Sequence, residues 1–153
     1  MLKANDTHCN IEHMLCIREH IVNNPRSFDM DTYERNDDEC GTVGCIAGWA
    51  CMFDQRDSYG FGILRMTHYA HAGSYRRVAT DYLGIADNTA NELFYVKDYN
   101  YEAAKTGLDM PRPVFQRPMC QVTPAMAVQA IDNVIATGRP NWRGIFEGAE
   151  NAG

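Results

Sequence analysis

No glycine-rich phosphate loop, nucleophile-elbow serine or helix-borne His-Glu-x-x-His pair occurs in the 153 residues. The commonest nucleotide, serine-hydrolase and metalloprotease chemistries are thereby removed. Long apolar runs are missing too: the longest, Cys45 to Phe53, has nine residues and includes Gly48, about half of the roughly 20 that span a bilayer. Met1 to Asn10 carries Asp6, His8 and Asn10 where a signal peptide is apolar, so a cytoplasmic protein is expected. Positive charge is in deficit. Fourteen Lys and Arg against twenty Asp and Glu give a net charge of −6, which argues against nucleic acid held by bulk attraction and leaves at most a local basic patch. Cysteine is too sparse for a disulfide scaffold, and the six thiols are expected to be reduced. At 45% hydrophobic and 22% charged residues, the chain can bury an ordinary core. One globular domain over 1–147 with a flexible tail at 148–153 follows.

The patterning predicts a mainly α fold, a bundle of about five helices with a long irregular Tyr- and Pro-rich loop. A helix from Asp6 or Thr7 to Val22 places Ile11, Met14, Leu15, Ile21 and Val22 on one face and Cys9, His13, Cys16 and His20 on the opposite, solvent side. Arg18 falls within the apolar face, so its guanidinium should snorkel outward or meet a carboxylate. Ser27 to Tyr33 fits a short extended segment or a single helical turn, and Asp54 to Gly62 a loop. With Thr42 as N-cap, a buried helix should run to Phe53, its Gly44, Ala47 and Gly48 admitting a second backbone. Ile63 to Ala72 reads as irregular or helical, ended by Gly73. Ser74 then caps a helix through Leu83, and Asp87 or Asn88 caps another to about Tyr95, forming an αα corner around Gly84. Residues 96–122 form the irregular connection. Thr123-Pro124 starts, and Gly138-Arg139-Pro140 stops, a helix burying Ala127, Val128, Ile131, Val134 and Ile135. Trp142 and Phe146 should fold back before the tail, and no strand longer than about five residues is expected.

The most distinctive stretch is Cys40-Gly41-Thr42-Val43-Gly44-Cys45-Ile46-Ala47-Gly48-Trp49-Ala50. A thiol near a helix start is favoured as a thiolate, and free amides there can hold an oxyanion, so Cys45 or Cys40 with His68 or His71 could serve a hydrolase or transferase. The same four residues could ligate zinc, as could Cys9, His13, Cys16 and His20 if a partner segment completed the site. Inert packing is the competing reading of every one of these thiols. Val78 to Phe94 has helix-turn-helix spacing, but Asp87, Asn88, Asn91 and Glu92 would face a polyanion, so a packing corner is expected. Tyr95, Tyr99 and Tyr101 are candidate binding residues. Asp98 and Glu102 beside them favour a protein partner over nucleic acid.

Taken together, Phe28-Asp29-Met30, Tyr33, the Cys40 to Ala50 stretch, Leu83-Gly84-Ile85, Leu93-Phe94, Thr123-Pro124, Ala127 and Trp142 resemble a group of small uncharacterised bacterial and phage proteins with a Phe-Asp-Met and Cys-Gly-Thr-x-x-Cys-x-Ala-Gly order. The resemblance implies a bacterial or phage setting and supplies no activity. The leading expectation is therefore a cofactor-free, non-enzymatic protein-binding accessory protein, such as a phage anti-defence inhibitor of a host protein. A cysteine-dependent hydrolase or transferase and a zinc-stabilised structural domain stand as alternatives.

Overall fold

The computed structural model describes residues 9–37, 41–59, 72–101 and 112–152. Six α-helices dominate them, and the fold is mainly α. In chain order they are α1 (Ile11–Asn23), α2 (Ile46–Tyr59), α3 (Ala72–Leu83), α4 (Asp87–Tyr95), α5 (Pro124–Thr137) and α6 (Trp142–Ala152). Two short antiparallel pairs join them. Strands β1 (Arg35–Asp37) and β2 (Gly41–Val43) match Asn36 with Thr42, while β3 (Lys97–Tyr99) and β4 (Pro113–Gln116) match Asp98 with Phe115. Buried apolar side chains from all six helices form one cluster.

Helix α1 shows how the core is arranged. Asn10 caps it, its Oδ1 accepting the His13 N–H at 3.1 Å, so the helix begins later than Asp6 or Thr7, which lie outside the described residues. Its buried residues are Met14, Ile17 and Ile21, whereas Ile11, Leu15 and Val22 face outward. The buried arc is thus turned by roughly 70° from the apolar centre of the sequence pattern. Packing on two sides explains the rotation. Arg18 meets a carboxylate, Asp132 of α5, through Nε at 2.6 Å and Nη2 at 3.2 Å. On the far side, the expected solvent face packs on α2 and α3. Cys9 is buried, the His13 ring stacks on Tyr82 at 3.9 Å, and the His20 ring lies 3.8 Å from that of Trp49.

Helix α2 starts at Ile46, four residues beyond the expected Thr42 cap, because the preceding segment is held extended. Gly44 N–H donates to Ser27 O at 2.9 Å, Asp29 N–H to Gly44 O at 3.1 Å, and Cys45 N–H to Thr32 O at 2.8 Å. Thr42 therefore belongs to β2. The helix continues to Tyr59, through much of the expected loop, and α3 begins at Ala72, so Gly73 lies inside a helix and Ser74 is no cap. Gly84 does end α3, with φ +64, and a Cβ there would sit 2.9 Å from Asn10 N. Most of Ile63 to Ala72 lies outside the described residues. Part of the expected irregular stretch is the β3–β4 pair, and 102–111 lie outside the description. Thr123 caps α5 and Gly138 closes it in the left-handed region, as the sequence predicts. Residues 148–152, expected as a loose tail, continue α6.

The second half of the fold converges on Glu92, which is 1% exposed. Its carboxylate accepts from Arg139 at both oxygens, with Nε at 3.0 Å, and from Tyr99 N–H at 2.8 Å. Its carbonyl accepts the indole N–H of fully buried Trp142 at 2.7 Å. Asp98 then takes Trp142 N–H at 3.0 Å and Arg143 N–H at 2.7 Å, fixing the start of α6 against β3. Sequence reasoning put Glu92 on an exposed face; charge-assisted bonds from a half-exposed guanidinium let it be buried. Replacing Glu92→Ala strands the Tyr99 amide and the guanidinium, and should lower unfolding free energy by about 3 kcal/mol in urea titrations. Glu92→Gln, which keeps shape and one acceptor, should lose less.

Candidate functional site

The central thiols sit in a tightly closed region. Gly48 has no room for a side chain, since a Cβ would lie 1.8 Å from Tyr33 O, and one on Gly44 would lie 2.7 Å from the same atom. The second backbone that these glycines admit is thus that of Tyr33. Cys45 is 6% exposed, and its Sγ accepts the Gly48 N–H at 3.3 Å. Burial pushes its thiol up to about 11, outweighing the amides that would lower it. Cys51 donates to Tyr75 O at 3.2 Å, and burial raises its thiol as well. An armed nucleophile requires the opposite shift. Cys40, His68 and His71, the residues proposed to act with Cys45 in catalysis or zinc binding, lie outside the described residues. Beside Cys45 is a cavity of about 60 Å³, walled in part by Tyr33, Tyr95 and Met119, too small for more than a water or two.

The alternative metal stripe on α1 is occupied by packing. His13 Nδ1 lies 2.6 Å from Tyr82 O, and His20 Nε2 lies 3.2 Å from Ser27 Oγ. Among the described residues no three His, Cys, Asp or Glu side chains converge to hold a metal ion. The αα corner has the predicted helix-turn-helix order, yet α4 turns Thr89, Ala90, Leu93 and Phe94 inward. Arg76, on α3, is tied to α4 through Asn91 Oδ1 at 2.7 Å and Asp87 at 3.7 Å. These contacts hold the corner to itself.

The three candidate tyrosines separate. Tyr95 faces the Cys45 cavity, whereas Tyr99 and Tyr101 lie together with ring centroids 5.5 Å apart. Tyr101 OH donates to Asn88 O at 3.1 Å, and the Arg139 guanidinium lies 5.6 Å from its ring. Tyr99 lines an open cleft of about 270 Å³ with Asp98, Val114, Arg139, Asn141 and Arg143. The two arginines went unrecognised in the sequence, where Arg139 reads only as part of a stop signal and Arg143 carries no reading.

A third feature is apolar. Among the described residues four large hydrophobics are exposed, and three of them, Ile11 (42%), Leu15 (47%) and Val22 (51%), lie on α1. At 100° per residue they fall within roughly 40° of one another, so they form one stripe. A groove of about 610 Å³ continues it between the end of α1 and the start of α5, lined by Val22, Pro25, Pro124 and Val128 among others. The sequence signal for this stripe was present as excess: α1 carries more apolar residues than one buried face uses.

No helix among the described residues is long and apolar enough to cross a membrane. Compared with protein-family models, curated proteins and solved structures, the chain matches none.

Two outcomes follow from these environments. In native buffer, Cys45 and Cys51 should react with a thiol reagent at least about 100-fold more slowly than exposed Cys120, read by mass spectrometry of alkylated peptides. Burial lowers the His20 imidazole below its ordinary range, so the folded state holds it neutral while the unfolded chain protonates it. Its contribution is fully present above about pH 6.5 and is lost as pH falls through the folded value. Wild-type protein should therefore lose more thermal stability than His20→Phe between about pH 7.5 and pH 5.5.

Proposed function

We propose that the chain is a non-enzymatic protein-binding accessory protein that works by covering part of a larger partner. In the bacterial or phage setting its motif resembles, an anti-defence inhibitor of a host protein is the form this takes. The observation that carries the reading is the exposed Ile11, Leu15 and Val22 stripe on α1. Met14, Ile17 and Ile21 already seat that helix in the core, so folding gives no reason for a second apolar stripe. Spacings of four and seven residues are those by which one helix docks against another or into a groove. Arg18 lies within the stripe, and Asp132 neutralises it, so a docking partner need not bury an unpaired charge there. Covering the remaining exposed area of three such side chains is worth about 1 kcal/mol each, a useful share of a micromolar interaction.

A high thiol pKa at Cys45 and the small cavity beside it favour packing over the hydrolase alternative. A photo-crosslinking residue at position 15, expressed in bacterial cells, should give a discrete protein adduct that a Val22→Asp substitution abolishes. The same residue at position 147, exposed on α6, should give none. Equal labelling from both positions, or no adduct from position 15, would remove the support for a docking helix. Leu15→Glu should leave the melting temperature within about 2 °C while eliminating the adduct captured from position 11.

A further inference from the structure

The cleft beside Tyr99 is a second feature, distant in sequence from the α1 stripe and independent of it. It opens where β3, β4 and the α5–α6 connection meet, and its volume of about 270 Å³ is that of one side chain or a small organic acid rather than a large cofactor. Its hydrogen-bonding groups are unequally used. Asp98 lines it, but Trp142 and Arg143 N–H already donate to its two oxygens. Glu92 beneath accepts from Arg139 at both oxygens. Asn141 Oδ1 accepts from Gly144 N–H at 3.2 Å. The acceptors are committed, and the donors are not. Arg139 uses Nε and Nη2, leaving Nη1. The Arg143 guanidinium donates only through Nη2, to Val114 O at 2.6 Å, and makes no ion pair among the described residues. The Asn141 amide N–H₂ completes the set.

Backbone strain gathers at the same place. The positive-φ non-glycine residues among those described are Val96 and Asn141, at 56° and 53°. Asn141 lines the cleft, and Val96 precedes the strand that brings Asp98 and Tyr99 to it. A β-branched residue held in the left-handed region costs on the order of 1–3 kcal/mol, a cost that concentrates at ligand-holding sites.

We propose that this cleft binds a carboxylate, gripped by the unused edge of Arg143 with Arg139 Nη1 and the Asn141 amide. A guanidinium offers two parallel donors matched to a planar carboxylate. Charge selects the ligand further. Arg139 and Arg143 offset Glu92 and Asp98, so the site takes the single charge of one carboxylate head, with any further charge of the ligand left in solvent, better than the nearly two that a phosphate monoester places on one group. The carboxylate comes either from a free small acid or from an acidic residue of a protein, and two probes separate these sources. Amide shifts of the full-length chain would be followed by NMR during titration with sodium succinate and with an N-acetylated tetraglutamate peptide, against sodium chloride at matched ionic strength.

Saturable shifts confined to Tyr99, Val114, Asn141 and Arg143 are expected with at least one probe. Succinate alone identifies a free acid, the peptide alone an acidic protein segment, and both a carboxylate taken in either form. Arg143→Gln should weaken binding about tenfold, and Arg143→Lys, which keeps charge but not the fork, should weaken it less. Absence of saturation with both probes, equal shifts with chloride, unchanged affinity in Arg143→Gln, or, in a parallel titration, tighter binding of inorganic phosphate than of the better-bound carboxylate probe would overturn the assignment. None of these results bears on the α1 stripe, because the readouts share no residue.

Discussion

A buried carboxylate on a helix is tolerable only when its charge and both oxygens are answered, and Glu92 meets that condition through Arg139, forty-seven residues away in sequence. The pair does more than neutralise. By also accepting the Tyr99 amide and, through its backbone, the Trp142 indole, Glu92 holds α4, β3, the α5–α6 connection and α6 in one arrangement. Apolar packing among these elements is non-directional and would permit several seatings. Polar bonds of defined length select one, and the cleft lined by Tyr99, Arg139 and Arg143 exists because of that choice.

Features governed by local chemistry were legible from the residues alone. The Thr123-Pro124 start and Gly138 stop of α5, the Gly84 corner and the mainly α class needed only caps, breakers and periodicity. The start of α2 was not legible, because Thr42 is an equally good cap or strand residue, and pairing with Arg35 to Asp37 and Ser27 to Thr32 decides between them. The rotation of α1 failed for a related reason. A helical wheel locates an apolar arc but not which neighbours cover it, and histidines that stack on Tyr82 and Trp49 count as polar on that wheel while being packed in the fold.

The candidate sites divide along the same line. Cys45 was conspicuous because a thiol among glycines at a helix start suggests reactivity, yet the burial that opposes reactivity belongs to tertiary packing. Arg139 and Arg143 were inconspicuous because nothing near them in sequence reveals Glu92, Asp98 or Val114 as their neighbours. Tyr99 was found for its residue type, and its usefulness depends on strand β3, whose pairing with β4 crosses the irregular connection.

The bond from Arg18 to Asp132 spans 114 residues. At ribosomal speeds of 5–20 residues per second, the interval between making its two ends is on the order of ten seconds. Throughout that time α1 has α2 and α3 but not α5 to lie against, so its α5-facing side and the outer Ile11, Leu15 and Val22 are open to water together. The nascent chain therefore carries its most exposed apolar helix before its last helices exist, an interval set by the order in which the message is read.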